Sequence, residues 1–197
     1  MKETNKIFYK IVFIILILFS SNAQSKILTV GKNDAKVTVK VFSSLTCPYC
    51  ASFHNKIFNQ LKKDFIDLGL VKFEHHAFPL DLAALNAEII VRCHVDDEKK
   101  FELLEKIYEN QKTWAVGSDI NKINDSIKKI GSKFNLDDAK MDECLKNDQV
   151  QDDILNQRIE AQKKYKIEST PTVMINGKKY SGKIEYEEFK KAIEKKL

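Results

Sequence analysis

A chain of 197 residues, 43% hydrophobic and 31% charged with only 6 Gly and 3 Pro, has the balance of one ordinary globular domain, which excludes collagen-like, low-complexity and multi-span membrane architectures. Its net charge of +5 rests almost entirely on lysine, since Arg92 and Arg158 are the only arginines, so little is available for bidentate reading of guanine or phosphate and no nucleic-acid partner is expected. A single core at this length folds without a metal or a disulfide framework, so the four cysteines are expected to carry chemistry.

Lys2, Lys6 and Lys10 precede an unbroken apolar run from Ile11 to Phe19, and Ser20, Ser21, Asn22 and Ala23 follow it, the three-part layout of a secretory signal. Cleavage after Ala23 is expected. The run is shorter than the roughly 20 apolar residues of a membrane span, and an uncleaved anchor is the alternative. Residues 1–23 are therefore read as a signal peptide and 24–197 as the mature domain, exported to a compartment where disulfides form and persist.

Val37, Val39 and Val41 alternate with Thr38, Lys40 and Phe42, the period of a strand with one strongly apolar face, and this strand runs into Cys47-Pro48-Tyr49-Cys50. Phe53, Ile57, Leu61, Phe65 and Leu68 then recur at spacings of three and four, which predicts a helix of about five turns, opened by Pro48 and stopped near Gly69. Leu70 to Phe78 reads as a second strand with Val71, Phe73 and His75 on one side, completing a strand, helix, strand crossover. Residues 81–165 show helical periodicity in five blocks: Leu82 to His94, Glu98 to Trp114, Ile120 to Phe134, Asp137 to Asn147 and Val150 to Tyr165. From Glu168 the strand pattern returns, with Ser169-Thr170-Pro171, a strand from Thr172 to Ile175, the turn pair Asn176-Gly177 and a short strand to Ser181. A closing amphipathic helix presents Tyr186, Phe189 and Ile193 inward.

A strand entering Cys47-Pro48-Tyr49-Cys50, with Thr170-Pro171 before a hairpin and a final helix, resembles the thioredoxin fold. The large helical insertion and the export signal make it similar to the DsbA-like thiol-disulfide oxidoreductases, in particular their alphaproteobacterial branch. Ser44-Leu45-Thr46 before the cysteines, Ala51, Phe53-His54 after them, Phe78-Pro79-Leu80 and Ser169-Thr170-Pro171-Thr172 carry the likeness. The fold class implied is α/β, a thioredoxin fold with a helical insertion at about 81–165.

Thiol exchange needs a thiolate that attacks or leaves easily, and a helix N-terminus supplies one through its unpaired N–H groups and its dipole. Cys47 is expected to be the nucleophile. Cys50, one turn further in, would resolve the mixed disulfide, with Pro48 and Tyr49 tuning the pair. The competing reading, half of a zinc site, needs two more ligands; Cys93, His94 and Cys144 are available but form no second Cys-X-X-Cys. No metal or cofactor is expected.

The resemblance implies a cis peptide at Pro171 and a substrate-binding backbone at Thr170. It also implies a structural disulfide between Cys93 and Cys144, against which two buried free thiols are the other reading. Two departures stand out. Tyr49 replaces the histidine that many members place between the cysteines, which implies a weaker oxidant, and Val41 replaces a buried carboxylate six residues before the first cysteine, leaving proton transfer at Cys50 to another group or to water. Thr170 is the residue type found in isomerases of the superfamily.

His54, His75 and His76 are read as surface or strand-face side chains without an acid-base role, and Tyr108 and Trp114 as packing in the helical part. The function implied is a periplasmic monomer that oxidises unfolded secreted polypeptides and is reoxidised by a membrane partner. The alternatives are an isomerase or reductase on the same site, or a metal-binding or chaperone-like thiol protein without turnover.

Overall fold

Valines at alternate positions place one face of a strand in the core, and in the computed structural model, which describes residues 27–197, Val37, Val39 and Val41 of strand β2 (Val37–Ser43) are fully buried. The expected signal segment lies outside the described residues. Strand β2 is the centre of a five-stranded mixed sheet. It pairs in parallel with β3 (Val71–Ala77), Val39 opposite Phe73 and Val41 opposite His75, and antiparallel with β4 (Thr172–Ile175), Val41 opposite Val173. The short strands β1 (Leu28–Val30) and β5 (Lys178–Lys179) flank β3 and β4 antiparallel, giving the order β1-β3-β2-β4-β5.

Asn176 and Gly177 join β4 to β5 with φ of 46° and 78°, the left-handed pair that a two-residue hairpin turn requires. The last strand is shorter than the sequence pattern indicates. It consists of two exposed lysines, which blunt the open edge of the sheet. Strand β1 has no counterpart in the sequence reading.

The segment after Cys47 is helical throughout, but not uniformly α. Helix α1 (Pro48–Phe53) passes into a π turn (His54–Phe58), then α2 (Asn59–Leu61), then a second π turn (Lys62–Ile66). Phe53, Ile57, Leu61 and Phe65 step by four, and over those 12 residues an ideal α-helix of about 3.6 residues per turn would rotate the stripe by about a third of a turn. The wide turns absorb this rotation and keep all four side chains buried. Leu68, expected on the same face, is corrected by the same geometry: it is 63% exposed.

Between β3 and β4 lie α3 (Leu82–Cys93), α4 (Asp97–Glu109), α5 (Gln111–Trp114), α6 (Ile120–Gly131), α7 (Asp138–Leu145) and α8 (Asp148–Tyr165). Five of the six start sharply because Asp81, Asp96, Asp119, Asp137 and Asn147 each accept a first-turn backbone N–H in their side chain. Helix α9 (Tyr186–Glu194) closes the chain with Phe189 and Ile193 buried and Tyr186 partly so.

The sheet is covered on both sides. One face packs Val39, Val41, Phe73 and Ile175 against the α1–α2 segment, α9 and the inner side of α3 and α4, including Leu104 and Ile107. The opposite face packs Phe42, Phe78 and Met174 against Ala161 and Tyr165 of α8. Cys93 and Cys144 are joined by a disulfide that ties α3 to α7, with an S–S distance of 2.02 Å.

Candidate active site

Cys47 stands at the junction between the sheet and α1, as the residue whose extended backbone (φ −76°, ψ 119°) caps the helix, with Pro48 in the first helical position. Its carbonyl accepts the N–H groups of Cys50 and Ala51, so the first turn is closed tightly under the sulfur. Cys47 and Cys50 are both thiols and both lie in the core, Cys47 6% exposed and Cys50 fully buried. Across the site the Thr170–Pro171 peptide is cis, and the Thr170 carbonyl accepts from Cys47 Sγ at 3.4 Å.

The two sulfurs differ in ionisation. The Cys47 thiol is lowered to about 5, chiefly by the hydrogen bond from Cys50, with burial opposing; Thr170 and the backbone N–H groups of Cys50 and Tyr49 add to the lowering. Burial pushes the Cys50 thiol well up, and its bond to Cys47 pushes it further; the Ser43 hydroxyl and the Ser44 backbone act the other way. The thiolate is therefore held by the partner thiol and main-chain amides. Tyr49, 77% exposed, takes no part through its side chain, so the missing histidine is compensated by groups that ordinary residue types supply.

The helical insertion grips the active-site loop. Gln111, buried on α5, donates its side-chain amide to the carbonyls of Leu45 (2.7 Å) and Cys47 (3.0 Å). Thr46 donates to the α3 capping carboxylate of Asp81 at 2.7 Å, and Leu80 N–H donates to the Ser44 hydroxyl. Beside Thr46 opens a cavity of about 400 Å³, lined also by Leu82, Ala115, Ile120 and Ile123. Leu80, Leu82 and Val116 are large apolar side chains exposed on this insertion.

One histidine and one tyrosine correct the sequence reading. His54 is 2% exposed, not a surface side chain, whereas His75 is fully buried on the strand face it shares with Val71 and Phe73, as the pattern of β3 indicates. His54 stacks on Tyr108 with ring centroids 4.2 Å apart, and His75 bonds Glu88 at 2.6 Å with both side chains out of water. Tyr108 does more than pack: its hydroxyl donates to Ser43 at 2.7 Å. His76 pairs with Glu74 on the outer part of β3. Trp114 packs in the core, its indole N–H donating to the Ile107 carbonyl. Among the described residues, no cluster of three or more His, Cys, Asp or Glu side chains could hold a metal ion, so the zinc reading has no ligand set there.

A dithiol at a helix start, with unequal thiols and the carbonyl that precedes a cis proline against the outer sulfur, defines a thiol-disulfide exchange site on a thioredoxin fold. The family model described as thioredoxin matches residues 23–195. Disulfide bond formation protein D of Bacillus subtilis is 34% identical over 179 residues, 85% of this chain and 75% of that protein. Relatives from Rickettsia species match over 150 residues, which is 53% to 57% of their own length. Among solved structures, alpha-DsbA1 of Wolbachia pipientis superposes with a TM-score of 0.79 at 24% identity, covering 87% of this chain and 90% of that one. BdbD of Bacillus subtilis superposes with a TM-score of 0.64 at 26% identity, covering 86% and 92%. The chain belongs to the thioredoxin family, as a DsbA-like thiol-disulfide oxidoreductase.

Proposed function

We propose that the protein is an exported dithiol oxidase in which the Cys47–Cys50 disulfide takes two electrons from a pair of substrate cysteines. A substrate thiolate attacks the Cys47 sulfur; the intermolecular S–S bond forms as the Cys47–Cys50 bond breaks, and the electron pair leaves on Cys50. The second substrate thiol, giving its proton to solvent, attacks its own neighbour in the mixed disulfide and releases Cys47 as a thiolate. The substrate leaves oxidised and the enzyme as the dithiol. Cys47 is the attacked and attacking sulfur, Cys50 the resolving one, and Thr170 and Pro171 offer main chain to an extended substrate.

The observation that carries the direction is the Cys47 thiol at about 5: a stabilised leaving thiolate favours the reduced protein and makes its disulfide a good electron acceptor. Unfolded secreted polypeptides suit the apolar side chains exposed around the neighbouring cavity, which offer contact without a sequence code. Export to the periplasm is read from the layout of residues 1–23. Among the described residues no helix is long and apolar enough to cross a membrane. The working form is a monomer, and a membrane redox protein reoxidises it.

The test is the reduction potential of the Cys47–Cys50 pair in glutathione buffers, with thiols trapped and counted by mass so that Cys93 and Cys144 are followed separately. A potential near about −120 to −150 mV is expected of a disulfide donor. One at about −230 mV or lower would remove the oxidase direction and leave reduction or isomerisation.

A further inference from the structure

We propose that the cavity beside Thr46 is a substrate subsite, and that Asp81 at its mouth makes it select a lysine or arginine within two residues of the substrate cysteine. The inference rests on the exchange reading above and names which polypeptides that site prefers.

The subsite is built where the helical insertion meets the exchange loop. Thr46, the residue before Cys47, donates its hydroxyl to Asp81 Oδ2 at 2.7 Å; the Ser44 hydroxyl, 3.2 Å from that of Thr46, accepts the Leu80 N–H. These bonds set the first turn of α3 alongside the loop, and the cavity of about 400 Å³ opens between that turn and the segment leading into α6. Its position fixes what can reach it. The Cα atoms of Thr46 and Cys47 are about 3.8 Å apart, and a substrate joined to Cys47 through sulfur advances about 3.3 Å per residue when extended. Side chains one or two residues from the substrate cysteine are therefore within reach of the cavity.

The walls combine two chemistries. Leu82, Ala115, Ile120 and Ile123 are apolar, and Asp81 is the one charged residue of the lining. Leu82 is 55% exposed, so the apolar surface is open to a ligand and not sealed. Asp81 caps α3 through Oδ1, which accepts the Ala84 N–H at 2.8 Å, and holds Thr46 through Oδ2. Both tasks need only an acceptor, which a neutral side chain supplies as well, so the negative charge is left over. Among the described residues no cation pairs with it; Arg158, which reaches the same stretch of chain, spends its guanidinium on the Pro79 carbonyl and the Phe78 ring. Asp119 caps α6 as Asp81 caps α3, so neither helix start leaves the cavity positive.

Apolar walls with one carboxylate at the mouth match a long aliphatic stem that ends in a cation. The stem displaces water from Leu82, Ile120 and Ile123, and the head meets the carboxylate while still partly hydrated. The contact is a bias laid over a site that reads main chain at Thr170 and Pro171. The chain as a whole carries a net charge of +5, so its general field works against a basic substrate and a preference for one is local.

Short Gly-Ser peptides with a single cysteine, attacking the oxidised protein, read the subsite. The peptide enters as the thiolate; its bond to Cys47 forms as the Cys47–Cys50 bond breaks, and Cys50 takes the electron pair and then a proton from solvent. Lysine, norleucine and glycine are compared at each of the two positions on either side of the cysteine. Every rate is divided by that of the same peptide with hydroxyethyl disulfide, which removes the reactivity of the peptide thiol itself. At the position that reaches the cavity, lysine should exceed norleucine by about fivefold at low salt, the scale of a partly exposed ion pair. The ratio should fall below about twofold in salt of about 1 M, where the screening length is about 3 Å. Asp81→Asn keeps an acceptor for the Ala84 N–H and should bring the ratio below about twofold at low salt.

Norleucine rates equal to or above those of lysine at every position of the wild type would overturn the inference. A lysine preference that survives Asp81→Asn or high salt would do the same. Should Asp81→Asn not fold, the salt dependence of the wild-type ratio decides alone. A wild type that no peptide attacks would sink the exchange reading itself, an outcome distinct from attack without preference.

Discussion

Cys47 Sγ lies 3.4 Å from the carbonyl oxygen of Thr170, a residue 123 positions further along the chain. The meeting is produced by the sheet: β4 pairs with β2 from Thr172 opposite Phe42 onward, which carries the preceding Ser169-Thr170-Pro171 turn to the end of β2 where Cys47 starts its helix. A thiolate there meets the partner thiol and main-chain groups but no side-chain cation among those that lower its pKa, so its stabilisation is built from short-range hydrogen bonds.

That stabilisation fixes the pH dependence of the redox couple. With Cys47 at about 5 and Cys50 raised, the dithiol form binds two protons below pH 5 and one above it. The reduction potential should therefore fall by about 59 mV per pH unit below the break and by about 30 mV above it. The same linkage stabilises the reduced protein: a depressed thiol contributes stability that is complete above its unfolded value of 9.0 and is lost as pH falls through about 5. Potentials measured from pH 4 to 8 check it; a single steep slope across that range would show that Cys47 is an ordinary thiol.

Gln111 joins the helical insertion to the exchange loop through the Leu45 and Cys47 carbonyls. Gln111→Leu keeps the volume and removes both bonds. The Cys47 carbonyl retains helical donors, whereas the Leu45 carbonyl gains an unmet acceptor in the core, a change that should cost about 1–3 kcal/mol. Amide exchange around residues 45–47 should accelerate in step. Urea unfolding and hydrogen exchange measure the two effects, and unchanged values in both would show that the loop holds itself.

The sequence made the exchange site visible because its parts are local: alternation in β2, Cys47-Pro48-Tyr49-Cys50 at a helix start, Asn176-Gly177 in a hairpin. The support beneath it was not visible, because its partners are distant. His75 finds Glu88 across a strand-to-helix turn, and Tyr108 finds Ser43 at a separation of 65 residues. A histidine next to apolar residues reads the same whether its ring meets water or a buried carboxylate. Strand β1 was missed for a different reason: three residues give no period to detect, and its identity comes from pairing Leu28 with His75 and Val30 with Phe73. The four-residue stepping from Phe53 to Phe65 was present in the sequence, but it fits an α-helical template well enough to conceal the π turns.

Removing the Cys93–Cys144 bridge should be a matter of stability. The bridge closes a separation of 51 residues between α3 and α7, and a loop of that size stabilises by about 4 kcal/mol in the chain-entropy model. Cys93→Ala with Cys144→Ala should lower the unfolding free energy by up to that amount. Neither cysteine is among the groups that set the Cys47 or Cys50 thiols, so the Cys47 alkylation midpoint should stay near 5. Guanidinium unfolding with parallel alkylation checks both; a shifted midpoint would mean that the insertion transmits strain to the exchange site.

His54 offers a test of the buried cluster through acid stability. Burial, and secondarily the charge at His75, holds its imidazole well below the ordinary 6.5, so the folded protein keeps it neutral while the unfolded chain takes up a proton as pH falls through 6.5. The unfolded state then binds more protons, and stability declines with falling pH from that point. His54→Phe replaces the ring with one that cannot titrate and can still stack on Tyr108. The variant should lose the His54 share of the decline between pH 6.5 and 5, leaving the share of His76, whose imidazole burial also lowers, and the later loss that comes from Glu88, whose carboxyl, against the pull of burial, is held below its ordinary range by His75 and Arg92. Unfolding free energies at pH 7.5, 6 and 5 decide it: parallel profiles for the two proteins would mean that His54 takes up its proton in the folded state as easily as in the unfolded one, and that the pocket around Tyr108 opens to water far more readily than its packing indicates.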